Sequence, residues 1–115
     1  MSDEIRRLSD ALASDPASLV FIPLADALRR GGQPDVALRV ILRGLERHAY
    51  NADAHDVAAR VYIDLGESER AKDEWEMALH LAAGHVGALR GLGFLAFQRG
   101  DVNAAERYLR DALER

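Results

Sequence analysis

The stretch that decides the fold runs from residue 52 to residue 82 and reads ADAHDVAARVYIDLGESERAKDEWEMALHLA. It is rich in alanine, the strongest helix former, and a single glycine, Gly66, divides it into two halves. Glycine is a common residue just past the end of a helix, so the division falls where a turn is expected. The stretch therefore predicts two helices, 52–65 and 68–82, joined by a short turn.

Apolar residues recur three and four positions apart in the rest of the chain, which is the spacing of one face of a helix. Leu38, Ile41 and Leu45 follow this spacing, and strand-like alternation persists nowhere for more than a few residues. Glycine, proline and asparagine interrupt the pattern at short intervals. Together these signals predict an all-α chain of seven helices, at 3–14, 17–30, 34–48, 52–65, 68–82, 86–99 and 102–114.

The chain repeats itself with a period of 34 residues. Gly32, Gly66 and Gly100 are separated by this interval. The same interval separates three further sets, which are Ala37, Ala71 and Ala105; Leu45, Leu79 and Leu113; and Gly44, Ala78 and Ala112. A repeat of this length made of helix, turn and helix indicates stacked helix pairs, each of which buries its apolar face only against its neighbours.

This period and its residue types resemble the tetratricopeptide repeat. The motif positions hold Phe21, Leu24, Ala25, Leu28, Ala37, Ile41 and Gly44 in the first repeat. They hold His55, Ala58, Ala59, Tyr62, Ala71, Trp75 and Ala78 in the second, and Leu89, Leu92, Gly93, Ala96, Ala105, Leu109 and Ala112 in the third. The resemblance implies a right-handed α-solenoid of antiparallel helix pairs in one domain, residues 1–115. Its parts would be an N-terminal helix (1–16), repeat one (18–51), repeat two (52–85) and repeat three (86–115).

Several local features follow from these positions. Small residues at Ala25, Ala59 and Gly93 are expected where two helices cross, and Ile41, Trp75 and Leu109 are expected to fill the space between neighbouring pairs. Ser68 and Asp101 are expected to cap the helices that follow them, and Pro34 fits a first helical turn. Pro23 is expected either to kink its helix or to make the regular part begin near Phe21.

Composition narrows the function classes. The chain has no cysteine, which excludes disulfides, thiolate zinc sites and a cysteine nucleophile. Its net charge of −4 disfavours nucleic acid as a partner. The first residues lack the apolar segment of a secretory signal, and no apolar run is long enough for a membrane span, so a cytoplasmic protein is the default expectation.

No motif predicts catalysis, a cofactor or a metal. His48, His55, His80 and His85 lack metal-ligand spacing. The glycine-rich stretch 84–93 follows a helix and matches no phosphate-binding pattern. Asp53 and Asp56 share a helical face, which we interpret as solvated. We therefore expect a protein that is not an enzyme and has no cofactor.

The resemblance implies a concave groove lined by the first helix of each pair. The face expected to line it carries Ile22, Asp26, Arg30, Asp56, Arg60, Asp64, Arg90, Phe94 and Phe97. Leu19, Arg29, Asp53, Ile63, Gly87 and Gln98 share that face. Phe94 and Phe97 beside Arg90 are of the residue types that dominate binding interfaces, although aromatics at helical spacing more often belong to a core.

These features predict an adaptor or scaffold that binds a protein or peptide partner, and not a nucleic acid or a membrane. The tetratricopeptide subgroup that grips acidic chaperone tails uses Lys, Asn and Arg, whereas the matching positions here hold Ile22, Asp26, Val57, Gly87 and Gly91. Two alternatives stay open. One is self-association through an uncapped C-terminal edge, with Val102, Ala105, Leu109 and Ala112 partly exposed. The other is a docking or regulatory role within a larger enzyme.

Overall fold

A computed structural model describes residues 2–115, and within this range every regular element is a helix. The helices are α1 (Asp3–Ser14), α2 (Phe21–Arg30), α3 (Pro34–Arg47), α4 (Ala52–Asp64), α5 (Ser68–Leu81), α6 (Val86–Gln98) and α7 (Val102–Leu113). The predicted all-α array is therefore confirmed. Six helices begin at the residue that the sequence predicts, and α2 is the exception.

The second helix begins at Phe21 and not at residue 17. Two side chains organise the segment before it differently: Asp15 accepts a hydrogen bond from the backbone N–H of Ala17, and Ser18 accepts one from that of Val20. Pro23 is then the third residue of α2, where its missing N–H is one of the donors that a helix start leaves without a partner. Of the two outcomes expected for Pro23, the late start is the one observed.

Three turns with the same backbone geometry set the period of the array. Gly32, Gly66 and Gly100 have φ angles of 80°, 77° and 81°, in the left-handed region that favours glycine. In each turn the N–H of the next residue donates to a carbonyl five residues earlier, at 2.9 Å, as from Gln33 to Leu28. This is the Schellman motif, which ends the first helix of every pair at the same point.

The helix caps agree only partly with expectation. Asp101 caps α7 by accepting a hydrogen bond from the N–H of Ala104 at 3.1 Å, and Pro34 opens α3, as predicted. The expectation for Ser68 is wrong, because Ser68 is already the first residue of α5 and Glu67 occupies the cap position without a side-chain hydrogen bond. Three further side chains cap helices where none was predicted, namely Ser2, Asn51 and His85.

Consecutive helices pack as the pairs α2/α3, α4/α5 and α6/α7, and α1, α3 and α5 each pack on the first helix of the following pair. The result is an elongated stack with extents of 46 × 25 × 22 Å. Ala25, Ala59 and Gly93 are buried at the crossings, as predicted. A Cβ added to Gly93 would lie 3.0 Å from the Leu109 side chain, which shows how closely α6 and α7 approach.

The residues expected between neighbouring pairs divide into two groups. Ile41 and Trp75 are buried, whereas 42% of the Leu109 surface is exposed, because no described element packs beyond α7. Val102 is also exposed, but Ala105 and Ala112 are buried, so the expectation that these two alanines are partly exposed is wrong. Ala105 packs with Ala96 of α6, in agreement with its place in the repeat motif.

Two glycines accommodate aromatic rings. A Cβ on Gly44 would overlap the ring of Phe21, and a Cβ on Gly91 would overlap the indole of Trp75. The second contact joins repeat two to repeat three, since Trp75 lies on α5 and Gly91 on α6. The stacking of these two repeats therefore requires a residue without a side chain at position 91.

We expect Gly91→Ala to lower the free energy of unfolding by about 1–3 kcal/mol through overpacking. Ordinarily, glycine to alanine inside a helix raises stability by about 1 kcal/mol. Urea unfolding followed by circular dichroism measures the effect. In a Trp75→Leu background the cost of Gly91→Ala should shrink or change sign, because the ring is gone. An equal cost in both backgrounds would contradict the contact.

Candidate functional site

The candidate groove is built from α2, α4 and α6, the first helices of the three pairs. Arg29 on α2 and Asp64 on α4 are joined by an ion pair of 3.4 Å, so the predicted faces of these helices lie side by side. The start of α6 approaches α4 in turn, since a Cβ on Gly87 would lie 2.7 Å from Oδ2 of Asp56. The structure thus brings the polar part of the predicted groove together.

Asp26 is the centre of a charge network at the N-terminal end of this surface. Its carboxylate accepts hydrogen bonds from Nε of Arg29 and Nε of Arg30, both at 3.1 Å. Arg30 also donates to Glu4 on α1 at 3.1 Å, and Arg29 reaches Asp64. The charges that the sequence offers to a partner in repeat one are therefore largely neutralised by the chain itself.

These contacts shift two ionisation equilibria. Burial disfavours the charged form of Asp26, but the hydrogen bonds and charges of Arg29 and Arg30 outweigh it and hold the pKa of Asp26 below its ordinary value of 3.8. The hydrogen bond to Asp26 raises the pKa of Arg30, with Glu4 adding to the effect. Ionised Asp26 consequently stabilises the folded chain.

Asp56 lies under the groove surface in the middle of the array. Only 9% of it is exposed, and its Oδ1 accepts a hydrogen bond of 2.7 Å from the indole N–H of Trp75. Arg60, one turn later on α4, donates to the same oxygen at 3.4 Å. The interpretation of Asp53 and Asp56 as a solvated pair is wrong for Asp56, because the start of α6 covers it. Asp53 is exposed and pairs with His85 at 2.7 Å.

Sequence reasoning missed this buried carboxylate, although a signal for it exists. An indole N–H buried between helices requires an acceptor. Trp75 occupies the motif position that Ile41 and Leu109 fill in the other repeats, so repeat two alone brings a donor there. Of the three acidic residues on the preceding helix, Asp56 accepts this hydrogen bond.

A shallow cavity of about 320 Å³ lies between α2 and α4. It is lined by Ile22, Pro23, Asp26, Asp56, Val57 and Arg60. Of the predicted groove residues, Ile22, Asp26, Asp56 and Arg60 therefore meet around one depression. Its polar groups already have partners within the chain.

Repeat three presents a different surface. Phe94 and Phe97 are 49% and 68% exposed on α6, one helical turn apart. Arg90 lies one turn before Phe94, is exposed, and makes no ion pair with any of residues 2–115. By the 34-residue register Phe94 corresponds to Asp26 and Arg60. The C-terminal part of the groove face is thus apolar and cationic, with its groups unpaired in the described chain.

Three of the four histidines have structural partners. His48 stacks on Phe21 with ring centroids 5.5 Å apart, and His55 pairs with Glu74 at 3.0 Å. His85 caps α6 in addition to its contact with Asp53. Among residues 2–115 no group of three His, Asp or Glu side chains is placed to hold a metal ion, and every helix there is too short or too polar to cross a membrane.

The stacked helix pairs, their common turns and the groove along the first helices define a helical-repeat protein. The chain has the fold of the tetratricopeptide-repeat family. It is 32% identical over 89 residues to "TPR repeat-containing protein YpiA" of Bacillus subtilis (strain 168), a match that spans 76% of the chain and 21% of that protein. No model of a protein family matches the chain.

Solved structures show the same fold. A crystal structure of MamA superposes with a TM-score of 0.82 at 23% identity, covering 96% of this chain and 65% of that one. The second TPR domain of Spaghetti (RPAP3), bound to the HSP90 peptide SRMEEVD, gives a TM-score of 0.78 at 18% identity. The match covers 90% of this chain and 96% of that domain. The chain spans about a fifth of its curated relative and about two thirds of MamA.

The charge network predicts how stability depends on pH. Because the pKa of Asp26 is lower in the folded chain than in the unfolded one, its contribution is complete above about pH 5 and is lost as the pH falls through 3.8 and below. Asp26→Asn should therefore flatten the loss of stability at acidic pH, as measured by urea unfolding from pH 6 to pH 3. Asp73→Asn, at an exposed carboxylate without an ion pair, is the control. Equal slopes for all three proteins would refute the role of Asp26.

Proposed function

We propose that the chain is a non-catalytic, cytoplasmic protein-interaction module that binds a peptide segment or protein surface along its groove and serves as an adaptor or scaffold. The observation that carries the proposal is the exposed set Arg90, Phe94 and Phe97 on α6. Aromatic residues and arginine are the usual energetic centres of protein interfaces. Helical-repeat proteins use extended concave surfaces of this kind for binding.

The distribution of paired and unpaired charge supports a binding position within the groove. Arg29, Arg30 and Arg60 face carboxylates of the chain, so a partner would have to displace an existing contact to reach them. Arg90 needs no such exchange. We therefore place the principal contact at the repeat-three end, with the N-terminal half acting as its support.

The expected partner combines an apolar side chain with a nearby carboxylate. The apolar group would cover the rings of Phe94 and Phe97, and the carboxylate would form a bidentate ion pair with the Arg90 guanidinium. An extended segment or one face of a helix can present these two groups together.

A solved neighbour shows that this fold can hold a short acidic peptide, since the Spaghetti (RPAP3) domain is bound to SRMEEVD. The present chain offers Ile22, Val57 and Gly87 where the chaperone-tail subgroup is expected to have polar clamp residues. We therefore propose a partner with a larger apolar component than a chaperone tail.

Replacing the exposed set tests the groove. The folded domain is attached to beads, and the partners that it captures are identified. The affinity of each partner is then measured for the wild type and for the Arg90→Glu/Phe94→Ala variant. We expect affinity to fall by on the order of tenfold or more, because an aromatic anchor and an ion pair are removed together. Tyr50→Ala, at another exposed aromatic outside the groove, should change affinity less than twofold. Unchanged binding by a folded double variant would refute the proposal.

Self-association is the second candidate, favoured by the exposed edge of α7. Val102 and Leu109 are 60% and 42% exposed and lie seven residues apart on this helix, and Leu113 continues the same apolar row. The counterparts of Leu109 and Leu113 one repeat earlier are Trp75 and Leu79, which are covered by α6 or half-buried against it. A second copy could cover the row in the same manner.

Sedimentation velocity at several concentrations tests this candidate. If the edge associates, the mean mass should rise with concentration, and Leu109→Glu should return it to that of a monomer by placing a charge in the contact. Leu42→Glu, at a similarly exposed leucine on α3, is the matched control. A monomer at every concentration would remove self-association as a function of this edge.

A further inference from the structure

A second depression lies between α1 and α3, apart from the groove. Its volume is about 510 Å³, and none of the residues assigned to the groove lines it. Its floor is apolar, with Phe21 and Leu24 buried below and Leu12 and Val40 half-buried at the sides. We refer to it as the α1/α3 cleft.

One wall of the α1/α3 cleft is a row of arginines. Arg39, Arg43 and Arg47 line it from α3, each one helical turn from the next and each exposed. No aspartate or glutamate lines the cleft. None of the three arginines forms an ion pair with any of residues 2–115, whereas Arg29, Arg30 and Arg60 on the first helices do.

The repeat architecture alone does not require this surface. One period later, Asp73, Glu74 and Met77 stand in place of Arg39, Val40 and Arg43, and His55 stands in place of Phe21. In repeat two the polar side chains at these positions pair within the chain, since His55 contacts Glu74 at 3.0 Å. In repeat one the corresponding positions are apolar and cationic, and none of residues 2–115 forms an ion pair with Arg39 or Arg43.

We propose that the α1/α3 cleft binds an acidic amphipathic helix of a protein partner. The arginine row extends over about 12 Å, eight residues of helix at 1.5 Å each, so carboxylates at every fourth residue of a second helix match it in register. Each guanidinium can hold a carboxylate in bidentate geometry. The apolar face of the same helix would cover Leu12, Phe21 and Val40. This site is separate from the groove of the proposed function and does not depend on it.

The probe is a synthetic, fluorescein-labelled helical peptide with glutamates at every fourth position and leucines on the adjoining face. Fluorescence anisotropy at low salt measures its affinity for the whole chain. We expect Arg39→Glu/Arg43→Glu to weaken binding by on the order of tenfold or more, because attraction becomes repulsion. Arg99→Glu/Arg107→Glu carries the same change in net charge in the turn after α6 and on α7, and Arg107 stands two periods after Arg39. This control should bind within twofold of the wild type.

A second variant tests the apolar part of the cleft. Ala13→Trp places a ring in the opening of the cleft without changing the charge, and it should also weaken binding of the peptide. Circular dichroism checks that every variant is folded. A scrambled peptide of equal charge should bind at least tenfold more weakly than the amphipathic one, as expected if apolar contact contributes.

Several results would overturn the proposal. They are no binding of the amphipathic peptide up to millimolar concentration, equal losses in the two double variants, or equal binding of the scrambled peptide. Tighter binding of anionic phospholipid vesicles or duplex DNA, lost with the same arginines, would assign the row to those ligands instead. A concentration-dependent dimer that Arg39→Glu/Arg43→Glu disrupts would assign it to a second copy of the chain.

Discussion

Close approach of helices at positions without large side chains is the constraint on which the whole array depends. Ala25, Ala59 and Gly93 let the two helices of each pair cross at short distance, and Gly44 and Gly91 leave room for the rings of Phe21 and Trp75. The few large side chains can then fill the remaining space. This explains how a chain with only 6% aromatic residues buries three apolar clusters along its length, with the partly buried Leu38 and Tyr108 packed between them.

The same packing determines where charge can remain unpaired. Asp26 pairs with Arg29 and Arg30 within α2, and α4 lies close enough for Arg29 to reach Asp64 as well. No first helix of a further pair is described beyond α6, and Arg90 forms no ion pair with any of residues 2–115. On the other side of the stack, α1 contributes no carboxylate to the cleft that Arg39, Arg43 and Arg47 line. Unpaired arginines therefore lie at two separate surfaces, the repeat-three end of the groove and the α1/α3 cleft.

The repeat could be predicted from sequence because the turns and crossings impose strict residue types at fixed spacing. The glycine turns and the small residues lie where that spacing requires. The start of α2 could not be predicted with the same certainty, because side-chain hydrogen bonds from Asp15 and Ser18 compete with helix in that segment. Burial of Asp56 and the ion pair between Arg29 and Asp64 depend on contacts between repeats, which a pattern within one helix does not contain.

Trp75 is an intrinsic fluorescent probe of the junction between repeats two and three. It is the only tryptophan, its indole donates to Asp56, and α6 covers it at the junction between repeats two and three. Separation of these two repeats would break that hydrogen bond and admit water to the ring, while repeat one could remain folded. Intrinsic fluorescence therefore reports the opening of one junction, and a probe of total helix content reports the chain as a whole. A difference between the two signals on heating or in denaturant would reveal stepwise unfolding of the kind that stacked repeats permit.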